Sequence, residues 1–299
     1  MKKILKWLGI ILGVLLAVVV LIAAGLYIYT EQMINRTYDI QVEAVPIPTD
    51  EASLERGEHL VKNVGACVEC HGQDLAGDQW NEGALVATIG VRNLTSGEGG
   101  IGRTFTDEDW VRAIRHGVGT DDKSLLIMPS SVYHTLSDAD LGAIIAYLKT
   151  IPPVDKEIAE TTVGPLGRPF ILQLPDVLVA SVIDHDAPRD DQIEPAVSVE
   201  YGKYLSSLLC TSCHGQDLTG LDTEEGGPNI TPGSEVGAWS EGDFLNTLRT
   251  GVKPDGDTID EELMPLSSVS GMTDDEFRAI WLYLQSLPAV ESTPTPGTQ

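Results

Sequence analysis

Positive charge is what this 299-residue sequence has least of: 19 Lys and Arg stand against 45 Asp and Glu, a formal charge of −26. A surface that neutralises phosphates needs the opposite balance, so nucleic acid is excluded as a partner. The deficit is uneven along the chain. Lys2, Lys3 and Lys6 open it, Trp7 through Thr30 carry no charge, and every acidic residue follows. The part after residue 30 therefore stands at −29, 45 acidic against 16 basic side chains. Such a surface either keeps an exposed domain soluble or steers a basic partner. No convincing run of strand-like alternation is found, and the apolar periodicity is helical, so the expected fold class is all-α. Neither a catalytic base nor a nucleophile stands out.

Cysteine is also scarce. The four present fall in two pentads, Cys67-Val68-Glu69-Cys70-His71 and Cys210-Thr211-Ser212-Cys213-His214. C-x-x-C-H is the attachment signature of a c-type haem. Two thiols three positions apart can each add to one vinyl group of the macrocycle, and the following histidine is then held under the iron. Other chemistries use C-x-x-C. A zinc site would want further Cys or His at close spacing, and a thioredoxin-like pair would not need histidine twice in the same place. A disulfide across two residues would close a strained loop. The pentads therefore predict two covalently bound haem c groups, with His71 and His214 as proximal iron ligands.

The 24 uncharged residues from Trp7 to Thr30 would span about 36 Å as a helix, enough for a ~30 Å hydrocarbon core. A cleaved signal peptide has a shorter apolar stretch, and Ala23-Ala24-Gly25 sits too deep in the run to serve as its cleavage site. Trp7 at one end and Tyr27 and Tyr29 at the other suit interfacial belts. The expectation is an uncleaved, single-pass anchor over 1–30 with a cytoplasmic N-terminus, leaving everything after it on the extracytoplasmic, periplasmic side. Residues 31–49, with Pro46 and Pro48, are expected to form a tether. Two domains, 50–152 and 198–290, are expected on either side of a linker at 153–197. The linker's apolar stretch, Phe170 to Val182, should pack over a domain. The Thr- and Pro-rich tail at 291–299 is expected to be disordered.

The two domains are copies of one unit. The haem motifs are 143 residues apart. Asn93-Leu94-Thr95 matches Asn229-Ile230-Thr231 at offset 136, and Phe105-Thr106 matches Trp239-Ser240 at 134, as do Arg115 with Arg249 and Gly117 with Gly251. Met128-Pro129 matches Met264-Pro265, and Tyr147-Leu148 matches Tyr283-Leu284, both at 136. Thr106-x-x-Asp109 and Ser240-x-x-Asp243 are expected to cap a middle helix; Ser137-x-x-Asp140 and Thr273-x-x-Glu276 open a last one. That last helix presents Leu141, Ile144, Ile145 and Leu148, or Phe277, Ile280, Trp281 and Leu284, on one face. Gly57 and Gly202 sit early in the helix before each motif.

A helix with an early glycine, C-x-x-C-H, a later Met-Pro and a closing helix with Tyr-Leu resembles the monohaem cytochrome c domain. The Asn-[Leu/Ile]-Thr, the Arg-x-Gly and the linker's Gly164-Pro165-Leu166-Gly167-Arg168 are similar to the tandem domains of membrane-anchored cytochrome c subunits that serve periplasmic alcohol, sorbose or gluconate dehydrogenases. The resemblance covers roughly residues 50–290. Those subunits usually carry three haems, whereas this chain has two motifs. It implies an electron carrier, not an enzyme in its own right, working with a dehydrogenase subunit, a basic electron carrier or a terminal oxidase.

The resemblance also places a thioether sixth ligand at Met128 and Met264, one per repeat. Met272 aligns with Leu136 and is expected to be packing. His116 and His134 rival Met128, but their repeat partners are Thr250 and Ser270, so they are expected to be surface histidines; His59, aligned with Tyr204, is expected on ordinary helix surface. Arg115 and Arg249 could fork onto haem propionates or merely end a helix. Asn93 and Asn229 lie in glycosylation sequons, yet their repetition favours a structural loop near the haem. Two Met-ligated irons would be closed to substrate. A dihaem peroxidase would instead keep one haem open, and a haem-based gas sensor would need an output domain for which the chain has no room.

Overall fold

In a computed structural model, residues 2–223, 226–261 and 263–292 are described; most of the tail expected to be disordered, 293–299, lies outside them. The chain is largely helical, 48% helix against 7% strand. The first helix, α1 (Lys2–Ile34), is a 33-residue rod whose apolar side chains project outward, and it is long and apolar enough to cross a membrane.

Helix α2 (Glu51–His59) starts at Asp50, whose carboxylate accepts the Ser53 N–H, and runs into a π-helical turn over Leu60–Val64. The first haem motif is the short α3 (Cys67–His71). The expectation of an all-α chain fails in the loop that follows. There β1 (Asp78–Asn81) pairs antiparallel with β2 (Ala87–Val91), and β2 with β3 (Thr162–Val163) from the linker. Neither β1 nor β2 has one buried face, so no period-2 pattern was there to find. Then come α4 (Asp107–His116), α5 (Ser130–Tyr133), α6 (Asp138–Leu148) and, in the linker, α7 (Arg168–Gln173). The second half repeats the helical order: α8 (Val199–Leu209), α9 (Thr211–His214), α10 (Glu241–Thr250), α11 (Leu266–Val269) and α12 (Asp274–Ser286).

The capping boxes form as expected at Thr106/Asp109, Ser240/Asp243 and Thr273/Glu276. Ser137 caps α6 through the Asp140 N–H, but the Asp140 carboxylate is drawn elsewhere. The early glycines mark where α2 crosses α6 and α8 crosses α12. A Cβ on Gly57 would lie 2.0 Å from the Ala143 carbonyl oxygen, and one on Gly202 would lie 1.9 Å from that of Ala279. Only glycine allows this approach.

The stretch at 31–49 is laid along the first unit instead of hanging free. The Tyr38 N–H donates to the Asp122 carbonyl at 2.8 Å, and Val45 is buried. The linker likewise packs down, burying Ile171, Leu178, Val179, Ala180 and Ile183.

The two halves meet about a pseudo-twofold arrangement of polar side chains. Arg56 forks onto Asp140 at 3.0 Å within the first half and reaches Glu276 of the second at 3.2 Å. His59 Nε2 lies 2.8 Å from Glu276 Oε2. At the related positions, Tyr201 donates to Glu276 at 3.3 Å and Tyr204 to Asp140 at 2.8 Å. His59 and Tyr204, aligned by the repeat, thus make mirrored contacts across the junction. The expectation that His59 is plain helix surface is corrected here. Burial pushes the Glu276 carboxyl up, but His59, the Thr273 N–H and Arg56 outweigh it and hold it at about 2.

Candidate functional site

The turn after each C-x-x-C-H has one geometry, built twice. Gly72 and Gly215 take φ of 79° and 81°, and three residues later Leu75 and Leu218 take φ of 56° and 60°, a region a leucine rarely occupies. Both leucines are buried, which holds them there. The Gly77 N–H closes back on the His71 carbonyl at 2.8 Å, and Gly220 on His214 at 2.8 Å. The signal for this turn is in the sequence: Gly-Gln-Asp-Leu follows both motifs, at 72–75 and 215–218.

The turn aims the two histidines alike. His71 Nδ1 donates to the Arg92 carbonyl at 2.8 Å, and His214 Nδ1 to the Pro228 carbonyl at 2.6 Å. With Nδ1 bonded to a carbonyl, Nε2 keeps its lone pair for a metal, and the ring is fixed in orientation. Burial lowers the pKa of both rings against those hydrogen bonds, which favours the neutral, ligating form. The carbonyls come from the residues just before Asn93 and Asn229. Asn93 is buried, donates Nδ2 to the Val154 and Lys156 carbonyls at 2.8 and 3.2 Å, and accepts the Thr95 N–H at 2.9 Å. Asn229 repeats this, with the Val290 carbonyl at 2.6 Å and the Thr231 N–H at 2.8 Å. Neither amide is free for a glycan; each pins the loop that orients a histidine.

A cavity of about 780 Å³ opens beside the first motif. Cys67, Cys70, His71 and Met128 line it, with an apolar wall that includes Leu60, Trp110, Ile114 and Leu148. Its size falls within the ~300–1,000 Å³ of cofactor pockets. The Cys67 thiol is pushed up to about 12 by burial, as is Cys210 in the second motif. On the cavity wall the Trp110 indole N–H is buried without a partner, a donor that needs an acceptor from whatever fills the space. Donor set, volume and orphaned N–H fit a haem with propionate oxygens.

Met128 and Met264 stand in matched turns. In each, the methionine carbonyl accepts the N–H two residues on, at 2.8 Å from Ser130 and 2.7 Å from Leu266, across a proline with φ,ψ of −79°, 47° or −74°, 69°. That is an inverse γ-turn. Met272 is buried in the core, as expected for packing.

The arginines are engaged with protein. Arg115, buried, donates to the Leu136 carbonyl at 2.9 Å and pairs with Asp138 at 2.7 Å. Arg249 holds the Met272 and Ser270 carbonyls and pairs with Asp274 at 2.7 Å. Both clasp the entrance of the last helix, and Arg115 is not on the cavity wall.

The rival histidines are also elsewhere. His116 is fully buried, not a surface residue, and its Nδ1 lies 3.1 Å from Nδ1 of His185, which donates Nε2 to the Ala180 carbonyl. Burial and the neighbouring cations push His116 down to about 3. This pair clasps the linker to the first unit. His134 Nδ1 bonds the Ser131 carbonyl at 2.7 Å, and neither ring lines the cavity.

Comparison with known proteins agrees with this geometry. Residues 52–148 match the family described as cytochrome c oxidase, cbb3-type, subunit III. The chain is 30% identical to the fructose dehydrogenase cytochrome subunit of Gluconobacter japonicus, over 83% of this chain and 55% of that one. It is 28% identical to the gluconate 2-dehydrogenase cytochrome c subunit of Pantoea cypripedii, over 84% and 63% respectively. A dihaem c-type cytochrome of Cereibacter sphaeroides is 29% identical over 81% of this chain and 88% of its own length. The chain thus spans a little over half the length of the two dehydrogenase subunits. Its matched domain over residues 52–148, its relatives and its repeated motif make this chain similar to c-type cytochromes that transfer electrons.

Proposed function

We propose that the chain is a membrane-anchored dihaem cytochrome c that passes single electrons along the extracytoplasmic face, without an enzymatic site of its own. One observation carries this reading: both C-x-x-C-H motifs end in a histidine whose Nδ1 is spent on a backbone carbonyl, leaving two equivalent Nε2 ligands. Haem, when bound, supplies one-electron chemistry at iron. Cys67 with Cys70, and Cys210 with Cys213, would hold it as thioethers; His71 and Met128, and His214 and Met264, would supply the iron ligands. Thioether ligation raises the potential relative to a second histidine, and a six-coordinate iron excludes substrate.

The chain's own residues also bring the two sites together. Glu69, between the first pair of cysteines, accepts hydrogen bonds from Ser267 at 2.5 Å and from Ser268, on the helix that follows Met264-Pro265. Leu208, two residues before Cys210, lines the cavity of the first motif. A junction in which the first motif meets the helix after Met264-Pro265 and the helix before the second motif suits transfer between the two sites. The dehydrogenase names of the relatives support a dehydrogenase subunit as one redox partner, with the strongly acidic exterior suited to a basic carrier or a terminal oxidase as the other. The domain boundaries 50–152 and 198–290, and a cytoplasmic N-terminus, belong to the same proposal.

The haem count tests it. A pyridine haemochrome spectrum of the purified protein should give two haem c per chain, falling to one in Cys210→Ala/Cys213→Ala. One haem in the unaltered chain would overturn the dihaem reading.

A further inference from the structure

The linker does more than connect. Leu166, Phe170 and Leu174 are spaced four residues apart and are 60%, 55% and 50% exposed. Leu85, whose carbonyl accepts the Leu166 N–H, and Ile127, whose N–H donates to the Val177 carbonyl, extend the exposed apolar surface on either side. Exposed apolar side chains gathered on one segment and its hydrogen-bonded neighbours, on an otherwise acidic exterior, mark an interaction site.

What it faces is fixed by Arg168. This residue is buried between α7 and α1. Its guanidinium donates to Glu31 at 2.6 Å, to the Thr30 hydroxyl at 3.2 Å and to the Tyr27 carbonyl at 3.4 Å, and its centre lies 3.8 Å above the Tyr27 ring. Thr30 ends the charge-free run of α1, and Tyr27 and Tyr29 mark the interfacial depth. Helix α7 is therefore held level with the last apolar turn of the membrane span.

We infer that the 166–174 segment inserts Leu166, Phe170 and Leu174 into the headgroup layer of the bilayer that α1 crosses, seating the first haem unit on the membrane surface. The inference rests on reading α1 as a membrane span. The occupant is lipid because Arg168 ties α7 to the end of that span, at Tyr27, Thr30 and Glu31. Attraction to anionic headgroups is not the driving force: the exterior carries −29, the Arg168 charge is already paired with Glu31, and Asp176 adjoins the patch. Burial of apolar side chains is what remains. Ile127 and Ile34 also line the cavity of the first motif, so the seated face is the one that cavity borders.

The test uses the full chain in phosphatidylcholine proteoliposomes, with a nitroxide on a single added cysteine and the protein reduced. Labels at Phe170→Cys and Leu174→Cys should collide with oxygen and lose most collisions with a water-soluble nickel chelate, unchanged at high salt. A label at Asp255→Cys, an exposed site in the second half, should collide freely with the chelate. A label at Leu16→Cys tests the span itself. Chelate-accessible labels at 170 and 174 with Leu16 protected would overturn the inference alone. Chelate access at all three would overturn the span, and the inference with it. Each variant must show the unaltered haem spectrum, and Leu166→Cys serves where one of the two does not.

Discussion

The junction between the halves makes a quantitative prediction at Glu276. Its carboxylate accepts from His59, Arg56, Tyr201 and the N-terminus of α12, and is held at about 2 against an ordinary 4.5. A carboxyl whose folded pKa lies below its unfolded one stabilises the protein fully above the unfolded value. That stabilisation is lost as pH falls from about 4.5 to about 2. The gap, at ~1.36 kcal/mol per pH unit, amounts to about 3 kcal/mol. Glu276→Gln keeps the shape and a capping acceptor but removes the charge, leaving Arg56 with Asp140 alone. Urea unfolding of the detergent-solubilised chain, followed by far-ultraviolet circular dichroism, should show the variant about 3 kcal/mol less stable at pH 7. The difference should shrink as pH falls from 4.5 and nearly vanish at pH 2. If the two proteins instead lose stability in parallel across that range, the carboxylate does not carry the junction and the reasoning is refuted.

Other substitutions probe the remaining parts. Gly57→Ala and Gly202→Ala should each destabilise by about 1–3 kcal/mol or more, because the added methyl meets a backbone carbonyl and the helices must part; thermal melts read this. Asn93→Ala should cost about 1–3 kcal/mol by orphaning the Lys156 carbonyl and the Thr95 N–H, and Asn229→Ala should cost a similar amount through the Thr231 N–H and a weakened hold on the Val290 carbonyl. Met128→His or Met264→His should lower the potential of one titration wave and leave the other; no shift in either wave would remove methionine as the ligand.

Much of the site was legible because its chemistry is local. Two pentads within one turn of chain gave the thiols and the histidines proposed as proximal ligands, and the repeat paired Met128 with Met264. Capping boxes, which operate over three residues, were readable for the same reason. Contacts across the halves were not. Glu276 lies 217 residues from His59, and nothing near either residue signals the pairing. Arg115 and Arg249 repeat faithfully, yet repetition alone could not distinguish a propionate from the carbonyls and aspartates that occupy them. The small sheet escaped notice because its strands bury neither face. Residues 31–49 read as a tether because their anchorage is by backbone hydrogen bonds, such as Tyr38 to Asp122, which leave little mark on sequence.

The central claim is that both irons are closed and carry electrons only. A potentiometric titration of the purified protein, followed in the visible spectrum, with carbon monoxide added to the reduced form, tests it most directly. Two high-potential waves and no spectral response to carbon monoxide are predicted. A prompt response from one haem would mean an open iron, and would contradict the account in favour of a ligand-binding, peroxidase-like site.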